Sequence, residues 1–221
     1  MTVMRMYWEQ MLSAVQTIHE ERIVHSDLNP ANFLLVCGQL KLIDFGIAKR
    51  IPSGSTESYS HQKIGTVDYV SPEALKDTGK GQNIGRVMIR MGLASDVWSL
   101  GCILYQMLYG HTPLADYDFQ GKLDAIMDES FIIDYPKWLE YNPDGTIKET
   151  HEDEEEKRKG ADLSEPARER VTAQVKVDVD GIDTIRACLQ YDPKQRPTVP
   201  QLLQVPLLHP GERLMDIPAS R

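Results

Sequence analysis

Basic residues, cysteines and long apolar runs are all scarce in this chain of 221 residues. Lys and Arg number 24 against 33 Asp and Glu, a formal net charge of −9, which argues against general binding to nucleic acid or to an anionic membrane. The three cysteines, Cys37, Cys102 and Cys188, form no C-x-x-C pair, so we expect buried free thiols in an intracellular protein. No apolar run approaches the roughly 20 residues of a membrane helix, and the start resembles no signal or transit peptide.

Apolar spacing predicts several helices, listed in chain order at the end of this paragraph. The first carries one stripe at three- and four-residue intervals, including Trp8, Leu12 and Val15. The second is apolar on nearly every face, which is typical of a helix buried at the centre of a helical domain. The predicted helices cover residues 7–20, 96–108, 122–128, 181–189 and 199–208, and residues 210–221 are expected to form a frayed tail.

Two short strands, residues 33–36 and 40–43, are separated by Cys37-Gly38-Gln39, which predicts a β-hairpin. Asn32 precedes the first strand and Asp44 follows the second, so the hairpin would hold both side chains against one metal site.

The remaining stretches lack periodicity. Residues 46–70 and 77–95 are predicted to be exposed loops, and the first is rich in hydroxyl groups that we hypothesise are phosphorylated. Residues 135–178 include a charged run at 151–159 with almost no apolar side chains, which predicts a disordered insertion. The expected organisation is one domain over residues 1–209 that carries this insertion.

Five ordered motifs resemble those of the eukaryotic protein kinases. His25-Ser26-Asp27-Leu28-Asn29-Pro30-Ala31-Asn32 has the H-x-D-x-x-x-x-N spacing of the catalytic loop, and Asp44-Phe45-Gly46 follows as the metal-binding loop. The other three motifs are Gly65-Thr66 with Ser71-Pro72-Glu73, the helix from Asp96 to Tyr105, and Arg196 after a turn. Within these kinases the chain is most similar to the monopolar-spindle checkpoint kinases, by Ser26, by Pro30 to Leu34 and by Tyr109 to Pro113.

The resemblance implies an α+β kinase-like fold and transfer of the γ-phosphoryl group of ATP to protein hydroxyls. Asp27 would be the catalytic base, and Asn32 and Asp44 would hold Mg²⁺. Leu34 would form the floor beneath adenine, and Thr66 would dock the substrate near Asp27.

Further residues would support this site. His25, Phe45 and Gly46 would position the metal-binding loop. Glu73 and Arg196 would form a buried ion pair that clamps the domain. Asp96 would hold the catalytic loop from below, since a charge on an apolar helix needs a partner.

Three departures from the kinase pattern stand out. Asn29 occupies the position of a lysine that neutralises the transferred phosphate, so a lower rate is expected. Ser26 replaces the arginine that pairs with a loop phosphate. No glycine-rich loop and no V-A-I-K-type lysine precede residue 25. We therefore expect the mainly helical C-terminal lobe with the N-terminal lobe absent, and little activity from these residues alone.

Two alternatives remain open. The chain could be a noncatalytic kinase lobe that binds partners. It could instead be a small-molecule phosphotransferase, although the docking motif at residues 65–73 and the helix at 96–108 disfavour that class. The expected partners are protein substrates and kinetochore or checkpoint proteins, with neither nucleic acid nor membrane. The expected location is intracellular, in the nucleus and at the kinetochore.

Overall fold

The computed structural model describes residues 1–52, 58–61, 67–75, 88–142, 146–147 and 173–210. Two compact units divide the chain: Met1–Asp134 with Asp180–Arg221, and Tyr135–Val179. The regular elements among the described residues are helices and two-stranded antiparallel sheets. None of the helices among them is long and apolar enough to cross a membrane.

Helix α1 spans Thr2–Glu20 and so begins five residues before the predicted start. Its predicted stripe is the buried face, where Trp8, Leu12 and Val15 are fully buried. Near the start of the helix, Met1, Val3 and Met6 are exposed. These residues lie outside the buried stripe, which is why the apolar pattern underestimated the length of the helix.

Helix α3, Leu93–Tyr109, is the centre of the first unit. Ser95 through Tyr105 are all buried, as the apolar sequence predicted. The helix begins three residues before the predicted start, where the backbone N–H of Gly92 donates to Ser95 Oγ at 3.3 Å. It ends at Gly110, which has a left-handed φ of 84°. Glycine adopts that conformation at little cost, and its N–H donates to the carbonyl of Gln106.

The predicted hairpin is present as β2, Phe33–Val36, and β3, Gln39–Leu42. Phe33 pairs with Leu42 and Val36 with Gln39. The turn residues Cys37 and Gly38 both have positive φ, at 49° and 82°, as a tight two-residue hairpin turn requires. The Gln10 side chain of α1 accepts a 2.7 Å hydrogen bond from the Leu40 N–H, which fixes the hairpin on the helix.

Two further sheets correct the prediction of loops over residues 46–70 and 77–95. Strand β1, Ile23–Val24, pairs with β4, Lys49–Arg50, and β5, Ser58–His61, pairs with β6, Met88–Met91. Each strand meets its partner across 24 or more intervening residues of sequence, so a local pattern could not reveal the pairing. Within these stretches, residues 53–57, 62–66 and 77–87 lie outside the described residues.

The remaining helices are short. Two 3₁₀-helices, Pro30–Asn32 and Val67–Tyr69, lie in loops. The remaining α-helices are α2, Pro72–Leu75; α4, Phe119–Met127; α5, Val179–Cys188; and α6, Val199–Leu202. Helix α4 begins before the predicted residue 122, because the Asp118 carboxylate accepts a hydrogen bond from the Gly121 N–H. Helix α6 ends well before the predicted residue 208.

The second unit contains a strand pair, β7 at Trp138–Tyr141 and β8 at Ala173–Lys176. The stretch predicted to be a disordered insertion therefore has ordered strands near both of its ends. The charged run at 151–159, on which that prediction depended, lies outside the described residues, as does the tail from residue 211.

All three cysteines are free thiols. Cys102 and Cys188 are buried, and burial raises the pKa of both thiols, that of Cys188 to about 12. Cys37 is exposed at the hairpin turn, which corrects the expectation that it would be buried.

Gly101 marks a close approach between α3 and α5. A Cβ atom at this position would lie 2.6 Å from Cys188 Cβ and 2.9 Å from Leu189 Cδ2. We predict that Gly101→Ala lowers the free energy of unfolding by about 1–3 kcal/mol through overpacking. In a helix interior without close neighbours, alanine stabilises by about 1 kcal/mol relative to glycine. Denaturant unfolding therefore tests the packing through the sign of the change in unfolding free energy. Unchanged or increased stability would contradict this packing.

Candidate active site

One buried carboxylate holds the backbone of the predicted catalytic loop, residues 25–32. Asp96, in the first turn of α3, is 1% exposed. Its Oδ2 accepts from the His25 N–H and its Oδ1 from the Ser26 N–H, both at 2.9 Å. His19 Nε2 also lies 2.8 Å from Oδ2. These bonds hold Ser26 at a left-handed φ of 73°, a conformation that costs energy for a side chain with a Cβ.

His25 connects the catalytic loop to the metal-binding loop. The side chain is fully buried, and its Nε2–H donates to the Ile43 carbonyl at 3.2 Å. Its ring centroid lies 5.3 Å from that of Phe45, which is itself half exposed. His25 therefore contacts the residues on both sides of Asp44.

The side chain of Asn32 is turned toward the catalytic loop. Its Nδ2 donates to the backbone carbonyl of Asp27 at 2.6 Å. The backbone carbonyl of Asn32 accepts from the N–H of Ile43 at 2.9 Å, and Ile43 directly follows the second strand of the hairpin. Asn32 thus contacts the backbone of Asp27 and that of Ile43, the residue before Asp44. That Asn32 and Asp44 face one metal site stays a prediction.

The amide of Asn29 is engaged within its own loop. Its Oδ1 accepts from the Ala31 N–H at 3.0 Å, and its Nδ2 donates to the Asp27 carbonyl at 3.1 Å. Asn29 therefore caps the 3₁₀-helix Pro30–Asn32. This capping contact is a use of the side chain that sequence reasoning did not anticipate.

Asp44 has a left-handed φ of 61°. Its Oδ1 accepts from the Gly46 N–H at 3.1 Å, which stabilises this turn. A Cβ at position 46 would lie only 3.1 Å from the same oxygen, so the close approach of Gly46 favours glycine there. The Asp44 carboxylate is exposed.

Asp27 and Asp44 are close enough to interact electrostatically. Partial desolvation raises the pKa of the Asp27 carboxyl above its ordinary value, and the Asp44 charge raises it further. The nearby His25 and the amides of Asn29 and Asn32 act in the opposite direction. Two carboxylates that repel each other are stabilised by a cation between them.

Leu34 and Thr66 are the remaining residues that the sequence predicts to bind ATP or the protein substrate. Leu34 lies on β2 with 52% of its surface exposed. Thr66 lies outside the described residues, as do Ser53, Ser55 and Thr56 among the hydroxyl groups of the long loop. Ser58, Tyr59 and Ser60 lie in β5.

Every nitrogen of the Arg196 guanidinium donates at least one hydrogen bond. It forms a bidentate pair with Glu73, from Nη1 at 2.7 Å and from Nη2 at 2.8 Å. It also donates to the carbonyls of Gln190, Ala94 and Tyr191. Its Cζ lies 5.0 Å from the centre of the Trp98 ring. Because this arginine has no spare donor, it can hold α2 against the start of α3 in only one geometry.

Sequence reasoning missed several polar anchors. Ser95 Oγ donates to Glu73 Oε1, Ser99 Oγ to the Tyr69 carbonyl, and Tyr69 Oη to Gln106 Oε1, at 2.7 to 2.8 Å. His19, which reaches Asp96, was missed as well. The available signal was polar residues on otherwise buried helices, since such residues require partners.

This arrangement defines a class of protein. The family model described as "Protein kinase domain" matches residues 1–208, nearly the whole chain. The chain therefore belongs to the protein kinase domain family. Its described helices and small sheets are those of that fold, and the prediction of kinase ancestry is confirmed. The expectation that the chain holds the C-terminal lobe alone stays a prediction.

Within this family, the chain is similar to several individual kinases. The chain is 44% identical over 206 residues to "Serine/threonine-protein kinase mph1" of Schizosaccharomyces pombe, covering 93% of the chain and 27% of that protein. It is 36% identical over 213 residues to "Dual specificity protein kinase TTK" of Mus musculus, covering 94% and 20%. It is 36% identical over 211 residues to "Serine/threonine-protein kinase MPS1" of Saccharomyces cerevisiae, covering 93% and 23%. The chain thus spans about a quarter of the length of these relatives.

The donor set fits magnesium. Asn32 has its amide nitrogen engaged by Asp27, so its oxygen is the atom left for a ligand. Asp44 offers an exposed carboxylate, held in place by Gly46. Mg²⁺ prefers such oxygen donors, and it commonly takes only one or two from the protein while phosphates and waters complete its shell.

We predict that Glu73→Gln lowers the free energy of unfolding by roughly 3–5 kcal/mol, because the buried guanidinium of Arg196 loses its counter-charge. Burial acts to raise the pKa of Glu73, but the Arg196 hydrogen bonds and charge outweigh it and the net pKa is lowered. The stabilisation is therefore present above the ordinary pKa of 4.5 and is lost as the pH falls through the lowered value. Unfolding of both proteins as a function of pH should show this acid loss in the wild type alone.

The matched control is Glu21→Gln. Glu21 pairs with Arg50 at 3.2 Å, but both side chains are about two-thirds exposed. An exposed pair contributes at most about 1 kcal/mol, so this variant should unfold almost like the wild type. Equal losses from Glu73→Gln and Glu21→Gln would overturn the assignment of Glu73 as half of a clamp.

Proposed function

We propose that the chain is the catalytic part of a protein serine/threonine kinase with dual-specificity relatives, which transfers the γ-phosphoryl group of ATP to protein hydroxyls. The observation that carries the proposal is the convergence of Asp27, Asn32 and Asp44 through two backbone contacts. Asn32 donates to the Asp27 carbonyl and accepts from the Ile43 N–H, one residue before Asp44. A base and two oxygen ligands in such a cluster are what phosphoryl transfer requires.

Asp27 would orient the substrate hydroxyl and accept its proton. As the hydroxyl oxygen bonds to the γ-phosphorus, the bond from that phosphorus to the β-γ bridging oxygen breaks and ADP leaves. The backbone of Asp27 is held in place by Asn29 and Asn32, and that of His25 and Ser26 by Asp96. These contacts pre-orient the base so that little reorganisation is needed.

Asn32 and Asp44 would hold Mg²⁺, which neutralises charge on the transferred phosphate when bound. His25 and Phe45 would position Asp44 from one side and Gly46 from the other. Leu34, an exposed apolar side chain beside this cluster in sequence, would support adenine. Thr66 would hydrogen-bond near Asp27 and order the substrate-docking segment.

We infer a role in the mitotic spindle checkpoint, with kinetochore or checkpoint proteins as partners and a nuclear location. The support is the resemblance to the monopolar-spindle kinases and the sequence similarity to the kinases mph1, TTK and MPS1.

We also infer that residues 1–221 assayed alone transfer phosphate poorly, because they contain no glycine-rich phosphate loop and no V-A-I-K-type lysine. The tests below therefore use the protein as its source cells make it, edited at single codons and immunopurified.

We predict that Asp27→Asn lowers the rate of phosphoryl transfer by about 10²–10⁴-fold, since the amide cannot accept the proton. The two side chains have the same shape, so ATP binding and thermal unfolding should stay near wild-type values. Asp128→Asn, at an exposed carboxylate in the α4 C-cap, is the control. Radiolabelled ATP and a protein substrate give the measurement. Retained activity in Asp27→Asn would overturn the role of Asp27 as the base, whereas a wild type that transfers no phosphate would favour the noncatalytic binding module.

We predict that Asn29→Lys raises turnover, because a cation would supply the phosphate neutralisation that the amide lacks. The same change removes the cap of the 3₁₀-helix, so stability should fall by about 1 kcal/mol. Turnover at saturating substrates and thermal unfolding separate the two effects. An unchanged or lower turnover in a folded variant would rule out the idea.

A further inference from the structure

The described part of the proposed substrate-docking segment, residues 67–75, is called the docking segment below. It begins with the 3₁₀-helix Val67–Tyr69, which is anchored from two sides. On the α3 side, Ser99 donates to the Tyr69 carbonyl and Tyr69 donates to Gln106. On the α4 side, buried Val67 belongs to an apolar cluster with Leu114, Ala125 and Ile126. The position of this segment therefore depends on α4 as well as on the buried helix.

The α4 side also carries a charged contact. Lys122 Nζ lies 2.7 Å from Asp68 Oδ1, with side chains only 17% and 23% exposed. The same oxygen accepts a 3.0 Å hydrogen bond from Thr112 Oγ1, and Thr112 is buried in the connection after α3. One carboxylate oxygen thus joins the docking segment, the α3–α4 connection and α4.

The low exposure makes this pair stronger than a surface contact. Arg50 and Glu21 are 3.2 Å apart but 68% and 67% exposed, so water and salt screen them. The side chains of Lys122 and Asp68 are largely shielded from water. Loss of Lys122 would leave the Asp68 carboxylate with Thr112 as its donor in a site that water reaches poorly.

We propose that Lys122 is a positioning residue for protein substrates, which acts through Asp68 to fix the docking segment. Lys122 does not contact the Asp27, Asn32 and Asp44 cluster in the contacts described above. Its effect is therefore expected on the binding of the protein substrate and not on ATP. The inference rests on the proposed kinase function for its kinetic consequence alone, since the anchoring itself is a structural property.

The first test is kinetic, on the cell-derived protein. Lys122→Gln should raise KM for the protein substrate about three- to tenfold, the size expected when a coupled contact is lost. The KM for ATP and kcat should stay within about twofold of wild type, since the coupling is to Asp68 and not to the nucleotide site. Lys122→Arg should restore much of the loss because it keeps the charge. Arg50→Gln, which removes an exposed ion pair, should leave all three constants unchanged.

A double-mutant cycle decides whether Lys122 acts through Asp68. In an Asp68→Asn background, Lys122→Gln should have little further effect on KM for the protein substrate. An equal effect in both backgrounds would overturn the proposal, as would a parallel rise in KM for ATP.

Hydrogen exchange of residues 67–75 provides a readout that needs no activity. Lys122→Gln should speed exchange in this segment while α1 keeps its wild-type protection, and Arg50→Gln should leave the segment unchanged. Unchanged exchange in Lys122→Gln would overturn the proposal. If the wild type phosphorylates no substrate, the proposed kinase function fails, whereas the exchange result still decides the role of Lys122.

Discussion

The buried carboxylate of Asp96 is the interaction on which the site depends. It accepts two backbone N–H groups of the catalytic loop and the Nε2 of His19. A carboxylate this deeply buried is tolerated only because several donors replace its hydration. Its presence in the first turn of α3 is also favourable, since the helix dipole is positive there. The catalytic loop is therefore held by the most buried helix of the first unit, and its strained Ser26 backbone is maintained.

A second clamp also acts at the beginning of α3. Arg196 joins Glu73 in α2 to the Ala94 carbonyl at the beginning of α3 and to the chain after α5. Tyr69, in the 3₁₀-helix Val67–Tyr69, is held to the same helix: its carbonyl accepts from Ser99 and its hydroxyl donates to Gln106. Positions that must be accurate within a fraction of an ångström thus derive from one rigid helix, which is how a loop-borne site can be pre-organised.

Much of the fold and the site could be predicted from sequence. Helix α3 and the β2–β3 hairpin have local signals, an apolar run and two strands about a tight turn. The hairpin also explains why Asn32 meets the N–H of Ile43, the residue before Asp44, while the shared metal site of Asn32 and Asp44 stays a prediction. The small sheets could not be predicted, since β1 meets β4 and β5 meets β6 across long separations. The capping use of Asn29 was missed because an amide in a loop has many equivalent partners.

The sequence by itself determined the family, the catalytic motif and the burial of α3, because these depend on residue type and on short spacings along the chain. Only the tertiary structure decided which polar groups meet. His19 and Asp96 are 77 residues apart, Glu73 and Arg196 are 123 apart, and Lys122 and Asp68 are 54 apart. Such pairs form where packing excludes water and brings each polar side chain to the few partners it can reach. That selection is made by the three-dimensional arrangement of the helices, which no local pattern contains.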